Sequence, residues 1–292
     1  MAYREVDAHI LNMREWRQAY TILPVGTLTY YGIVEQNVDY FRLTGRALQP
    51  KHRSVITDLL GALYDGYATE LTFQIVVEPI QNPDRYDYVL QHLDLVAQIA
   101  TELSGYRREA ELLGKRLSVV VRFGSEMNDI EGTAGTTNAA AFVRAYRAVR
   151  ELFSQILPRA PFPFSPALRA DLEVAPIAAY WPGTDCVDLV GATWYVHGED
   201  QRDASFSRMR EYFETFGRYD LPRSLDEFGG AEGSGSCYLD NDCMLRKMFA
   251  HIESLAAEGM RFTYGTIFLD AQKYGVDAAL RFLAERPDGQ DS

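Results

Sequence analysis

Cysteine is nearly missing from this chain. Three in 292 residues is a small and odd number, which excludes a disulfide scaffold. Cys237 and Cys243 stand in a Gly/Ser-rich stretch, where they either close a small bridge or remain thiols; low cysteine use points to thiols. Cys186, at the start of an apolar run, reads as a small buried hydrophobe. Histidines number five and are scattered, and neither CxxC nor HExxH occurs, so no metal site is expected. Positive charge is also short: 29 Lys and Arg stand against 41 Asp and Glu, a net charge of −12. That balance argues against nucleic acid or an anionic membrane as a partner. No apolar run approaches the ~18–20 residues that cross a bilayer. Residues 1–20 carry charges throughout and lack the apolar core of a secretory leader. The expectation is a soluble chain, cytoplasmic or exported with its signal already removed. Phosphate loops of the GxGxxG and GxxxxGK[ST] kinds are absent, which speaks against a doubly wound nucleotide-binding sheet; no cofactor is expected. Without GxSxG, or a Lys at a strand end, a serine hydrolase or an aldolase-type barrel is also disfavoured.

What the chain has instead is alternation. Apolar runs at 24–34, 70–79, 117–123, 187–195 and 263–270 read as strands, with short ones at 161–166 and 223–228. Helical spacing fills 9–21, 54–67, 84–113, 137–157, 206–216, 245–259 and 276–285, with Gly105 expected to end or bend the third. Strand following helix throughout, with no repeat and no linker, predicts one α/β domain with a parallel sheet spanning 1–292. Polar and aromatic residues recur at the carboxyl ends of the strands, which favours a (β/α)8 barrel. Its first strand is either within 3–10 or missing.

The most informative stretch is 117–129, LSVVVRFGSEMND. A β-branched run covered on both faces is a buried parallel strand, and Glu126 falls just past its carboxyl end, where barrel enzymes gather catalytic side chains. Glu227, in PRSLDEFGG, has a similar setting. Two carboxylates at one barrel mouth fit glycoside hydrolysis, which needs a proton donor for the leaving oxygen and a negative group at the oxocarbenium-like carbon. The chain is rich in tyrosine, 18 in all, and Tyr and Trp offer flat faces with a polar edge that complement a sugar ring. Tyr31, near the end of its strand, and the tryptophans Trp181 and Trp194 are candidates for that role.

RFGSEMND resembles the RP-x-HEMNG segment of family 26 glycoside hydrolases, the mannanase and β-glucanase family of clan A. Further matches follow in order. RYDY at 85–88 resembles GKYDxY; FSP at 164–166 resembles WSPN; YWPGTDCVDLVGATWY at 180–195 is similar to YYPGDxYVDWVGxxxY; and LDEFGG resembles TEFG. The resemblance implies a (β/α)8-barrel retaining, endo-acting β-glycosidase acting on an oligo- or polysaccharide. It implies Glu126 as acid/base, Glu227 as nucleophile, and Arg122 and Tyr195 as the groups that bond the nucleophile. It also implies Asn128, Trp181 and Trp194 as lining of the sugar sites. Ser125 stands where the family has His, Asp129 where it has Gly, and no Trp falls in the last strand. Those positions contact the sugar, so the resemblance carries the reaction and not the sugar. The rival reading is a carbohydrate-binding pseudoenzyme on the same barrel.

Overall fold

The computed structural model describes residues 28–35, 70–79, 85–130, 135–169, 176–197, 199–231 and 244–267. The helices expected at 9–21, 54–67 and 276–285, a first strand within 3–10, and Cys237 and Cys243 lie outside these residues.

Among the described residues every strand pairing is parallel. Strands β1 (Leu28–Glu35), β2 (Glu70–Glu78) and β3 (Arg116–Phe123) form one sheet in that order. They stay in register through Leu28↔Leu71 and Leu71↔Leu117. A second sheet holds β4 (Pro163–Phe164), β5 (Leu189–Val190), β6 (Thr193–His197), β7 (Arg223–Ala231) and β8 (Phe262–Ile267). Its order is β4-β5-β7-β6, with β8 also paired to β7. The two sheets meet where Val121 N donates to Pro161 O at 2.9 Å and Glu126 N donates to Ser165 O at 2.9 Å. Strand β4 is only two residues long because Pro161, Pro163 and Pro166 have no N–H to give a ladder.

Helices α1 (Arg85–Gln91), α2 (Leu93–Leu112), α3 (Ala139–Ile156), α4 (Arg202–Gly217) and α5 (Met244–Ala257) connect the strands. In α3, Asn138 caps the start by accepting Ala141 N at 3.0 Å. The helix buries Ala141, Phe142, Ala145, Tyr146, Val149 and Phe153 on one face, the 3.6-residue period of an amphipathic helix. The tyrosine hydroxyls of this outer layer do a second job. Tyr146 donates to Phe162 O at 3.0 Å, and Tyr212 donates to Gly191 O at 2.7 Å. Phe162 O also accepts Asp188 N at 3.0 Å, so the Tyr146 hydroxyl fills its second lone pair, and both tyrosines tie the helix layer to strand carbonyls. Burial raises the pKa of both hydroxyls, which therefore remain donors.

Three expectations change. The helix read at 84–113 breaks at His92, whose ring packs on Tyr88 at 4.2 Å, and then runs straight through Gly105. An exposed interior glycine costs only about 1 kcal/mol, too little to end a helix whose buried face continues on both sides. The strand read at 187–195 is two short strands parted by Gly191 and Ala192. The strand read at 223–228 extends to Ala231. Cys186 is buried, as the sequence predicts; burial pushes its thiol up to about 11, and it donates to Pro182 O at 3.3 Å.

Candidate active site

Alternation along β3 sorts its side chains. Leu117, Val119, Val121 and Phe123 pack into the main core, while Val120 and Arg122 face the other way. Arg122 is fully buried there. After Phe123 the chain turns on Gly124, whose φ is 59°. A Cβ here would sit 2.7 Å from the Tyr86 hydroxyl and 3.1 Å from Phe142, so only glycine fits. Glu126 then takes φ 55°, a left-handed conformation that costs a non-glycine residue on the order of 1–3 kcal/mol. Its backbone is held on both sides, by Glu126 N to Ser165 O at 2.9 Å and by Asp129 N to Glu126 O at 2.8 Å. Met127 and Asn128 are buried, and Glu126 between Ser125 and Met127 keeps its side chain partly exposed.

The second carboxylate is placed by an irregularity. Val190 pairs with Arg223 but Thr193 pairs with Glu227, so β7 carries one extra residue over this span. Ala192 O accepts from both Asp226 N at 2.9 Å and Glu227 N at 3.4 Å, the signature of a β-bulge. The bulge aims Glu227 at Arg122. Arg122 Nη1 reaches Glu227 Oε2 at 2.6 Å; its Nε donates to Ser165 Oγ at 2.9 Å; its Nη2 donates to Thr193 Oγ1. Tyr195 donates its hydroxyl to Glu227 Oε1 at 2.5 Å. Both oxygens of a carboxylate that is 13% exposed therefore have a donor, one of them charged.

The structure brings Arg122, Tyr195 and Glu227 into contact, with Glu126 on the adjoining turn. It places Asn128, Trp194 and Trp181 elsewhere. Asn128 bridges the backbone of Ala167 in both directions, at 2.9 and 2.8 Å, and is buried; it fastens the turn to the segment after β4. Trp194 is fully buried in the outer layer, donates Nε1–H to Ser205 Oγ at 2.9 Å and packs on Phe206. With Thr193 and Tyr195 facing the site, period-2 alternation turns Trp194 away from it. Trp181 stacks on Tyr219, ring centroids 4.7 Å apart and 5° from parallel, in the segments that lead into β5 and β7. That is the end of the strands opposite the carboxylates. Tyr31 lies in β1 at the register of Gln74. Asp129, where Gly was expected by resemblance, is buried and lies 3.6 Å from Arg169. Gly135 lets the chain return against Asp129 O, which a Cβ would meet at 1.4 Å.

Sequence reasoning missed Ser165, Thr193, Asp226 and Gln74. Thr193 was within reach, since it lies two before Tyr195 on the same face. Gln74 was marked by being a lone polar residue inside the run FQIVV. Among the described residues no group of three or more His, Cys, Asp and Glu is placed to hold a metal ion, and no helix is long and apolar enough to cross a membrane.

No known family model and no curated protein matches the chain by sequence. Solved structures do match it by fold. A modular endo-β-1,4-mannanase of glycoside hydrolase family 26 from Cellulomonas fimi superposes with a TM-score of 0.67 at 15% identity, over 98% of this chain and 71% of that one. The catalytic domain of a family 26 endo-β-1,4-mannanase from Bacillus sp. JAMB-750 gives 0.64 at 12%, over 92% and 76%. Cel5A of Thermotoga maritima, solved with cellobiose, gives 0.59 at 7%, over 97% of each. The chain thus shares the fold of glycoside hydrolases, those of family 26 among them.

Proposed function

We propose that this chain is a retaining β-glycoside hydrolase that cleaves a β-linked polysaccharide from within, with Glu227 as nucleophile and Glu126 as acid/base. The observation that carries the reading is the pair of donors on Glu227: Arg122 at one oxygen and Tyr195 at the other, beside the turn that presents Glu126. Likeness in fold to family 26 mannanases supports it. The same reading takes the parallel strands as parts of a closed (β/α)8 barrel.

Glu227 carboxylate attacks the anomeric carbon as the bond to the leaving oxygen breaks, and Glu126 gives that oxygen its proton. A glycosyl ester of Glu227 results. Water then attacks the same carbon, Glu126 carboxylate takes the water's proton, and Glu227 leaves as carboxylate. Arg122 holds the nucleophile ionised and oriented, while the Tyr195 hydroxyl fixes the second oxygen. Retention asks for carboxyl groups roughly 5–5.5 Å apart, against about 6.5–9.5 Å for inversion.

The test is release of reducing sugar from β-mannans, β-glucans, xylans and bacterial exopolysaccharides by wild type and Glu227→Ala. The variant should lose roughly six orders of magnitude in kcat, the scale seen when a nucleophile is removed. Proton NMR should show the β-anomer first. Tight binding without release from any polysaccharide would instead identify a carbohydrate-binding protein, and equal activity in Glu227→Ala would exclude Glu227 as nucleophile.

A further inference from the structure

We propose that Gln74 is a positioning residue for Glu227, acting across the space between the two sheets through the peptide that precedes the nucleophile. The inference rests on the glycosidase reading for its kinetic consequence. Gln74 is fully buried in the middle of β2, with Ile75, Val76 and Val77 buried after it. Its Nε2 donates to Asp226 O at 3.1 Å, although β2 and β7 belong to different sheets and stand 152 residues apart in sequence at this contact. Asp226 C=O and Glu227 N–H belong to the same planar peptide unit. The N–H side of that unit meets Ala192 O at 3.4 Å, longer than the usual 2.7–3.2 Å range. The carbonyl side is held by Gln74. Fixing this plane fixes the direction in which the Glu227 side chain leaves the backbone.

The residue on the other flank is confined as well. Asp226 Oδ1 accepts from Ser224 Oγ at 2.8 Å, and Oδ2 lies where a Cβ on Gly191 would be, 1.8 Å away. Gln74 tightens the bulge from the opposite side.

Stability gives no comparable reason for an amide here. Gln74 Oε1 is buried and accepts no hydrogen bond from the described residues. Replacing the amide relieves that unmet acceptor but takes the Nε2 donor from the buried Asp226 carbonyl, so the two effects on stability offset one another. For folding alone, an apolar side chain of similar size would serve as well.

Gln74→Leu and Gln74→Met separate the two roles. For each, kcat and KM are measured on whichever polysaccharide the wild type hydrolyses, urea unfolding is followed, and the Leu variant is crystallised. We expect kcat to fall roughly 10- to 100-fold, the scale of an ångström of misplacement. KM should change little, and the unfolding midpoint should stay close to that of wild type. The crystal should show the 2.6 Å Arg122–Glu227 contact lengthened. Unchanged kcat in both variants, a loss of kcat that tracks a loss of stability, or an unmoved Glu227 would each overturn the proposal. If the wild type releases sugar from nothing, the glycosidase reading fails, and the position of Glu227 in the crystal still decides the role of Gln74.

Discussion

Arg122 uses all three guanidinium nitrogens on three different residues: Ser165, Thr193 and Glu227. A lysine carries one point charge on a flexible stem and cannot reproduce that fork. The ion pair is buried on the arginine side, where losing one partner would strand the other charge at a cost of about 3–5 kcal/mol. The same rule, that burial penalises charge, applies to His251 in a place with no part in the chemistry. Its ring stacks on Phe206 at 4.4 Å and approaches Trp194 at 6.1 Å. Burial lowers its pKa from 6.5, and Arg210 pushes the same way, against smaller opposing effects of the Phe206 backbone and Glu258. A histidine with a depressed folded pKa stays neutral in the native state while the unfolded chain takes up a proton. Stability from this group is therefore full above about pH 6.5 and is lost as pH falls through the folded pKa. Thermal unfolding of wild type should drop between pH 7.5 and 5.5 more steeply than that of His251→Phe, which keeps the stack and removes the titration. Parallel curves for the two proteins would show that His251 does not titrate on unfolding.

Among the elements, α2 holds a correctable weakness. Gly105 is exposed in the interior of a 20-residue helix, and a Cβ there meets nothing within 4 Å. Gly105→Ala should stabilise the chain by about 0.5–1 kcal/mol by reducing the freedom of the unfolded backbone. That is a rise of roughly 1–3 °C in Tm for a protein of this size; a fall would mean that the helix is not continuous there. The sequence expectation failed at this glycine because propensity is a weak force beside a buried face. Where burial itself writes the pattern, the chain was readable. The run Val119-Val120-Val121 announces β3, and Phe142, Tyr146, Val149 and Phe153 announce α3. The site was readable only where strand ends carry it. Alternation would have assigned Thr193 and Tyr195 to one face and Trp194 to the other, but counting aromatics as sugar platforms overrode it. The bulge in β7 and the cross-sheet bond from Gln74 were not readable, since each depends on what a distant strand presents.

At the scale of the whole molecule, the candidate site belongs to no single segment. Gln74 comes from β2, Arg122 from β3, Thr193 and Tyr195 from β6, and Glu227 from β7, with Ser165 just past β4. The contacts that join them span 32 to 152 residues of sequence. Such a site cannot survive separation of the sheets, because Arg122–Glu227 and Gln74–Asp226 both run from one sheet to the other. It also has little means of melting alone, since Arg122 and Gln74 are fully buried and their strands are the same ones that build the core. Loss of hydrolysis in rising urea should then coincide with loss of far-ultraviolet circular dichroism and with exposure of Trp194, all at one midpoint. Activity disappearing at clearly lower urea would place the site on a locally unfolding unit. In that case the ties between the sheets would be weaker than their burial implies.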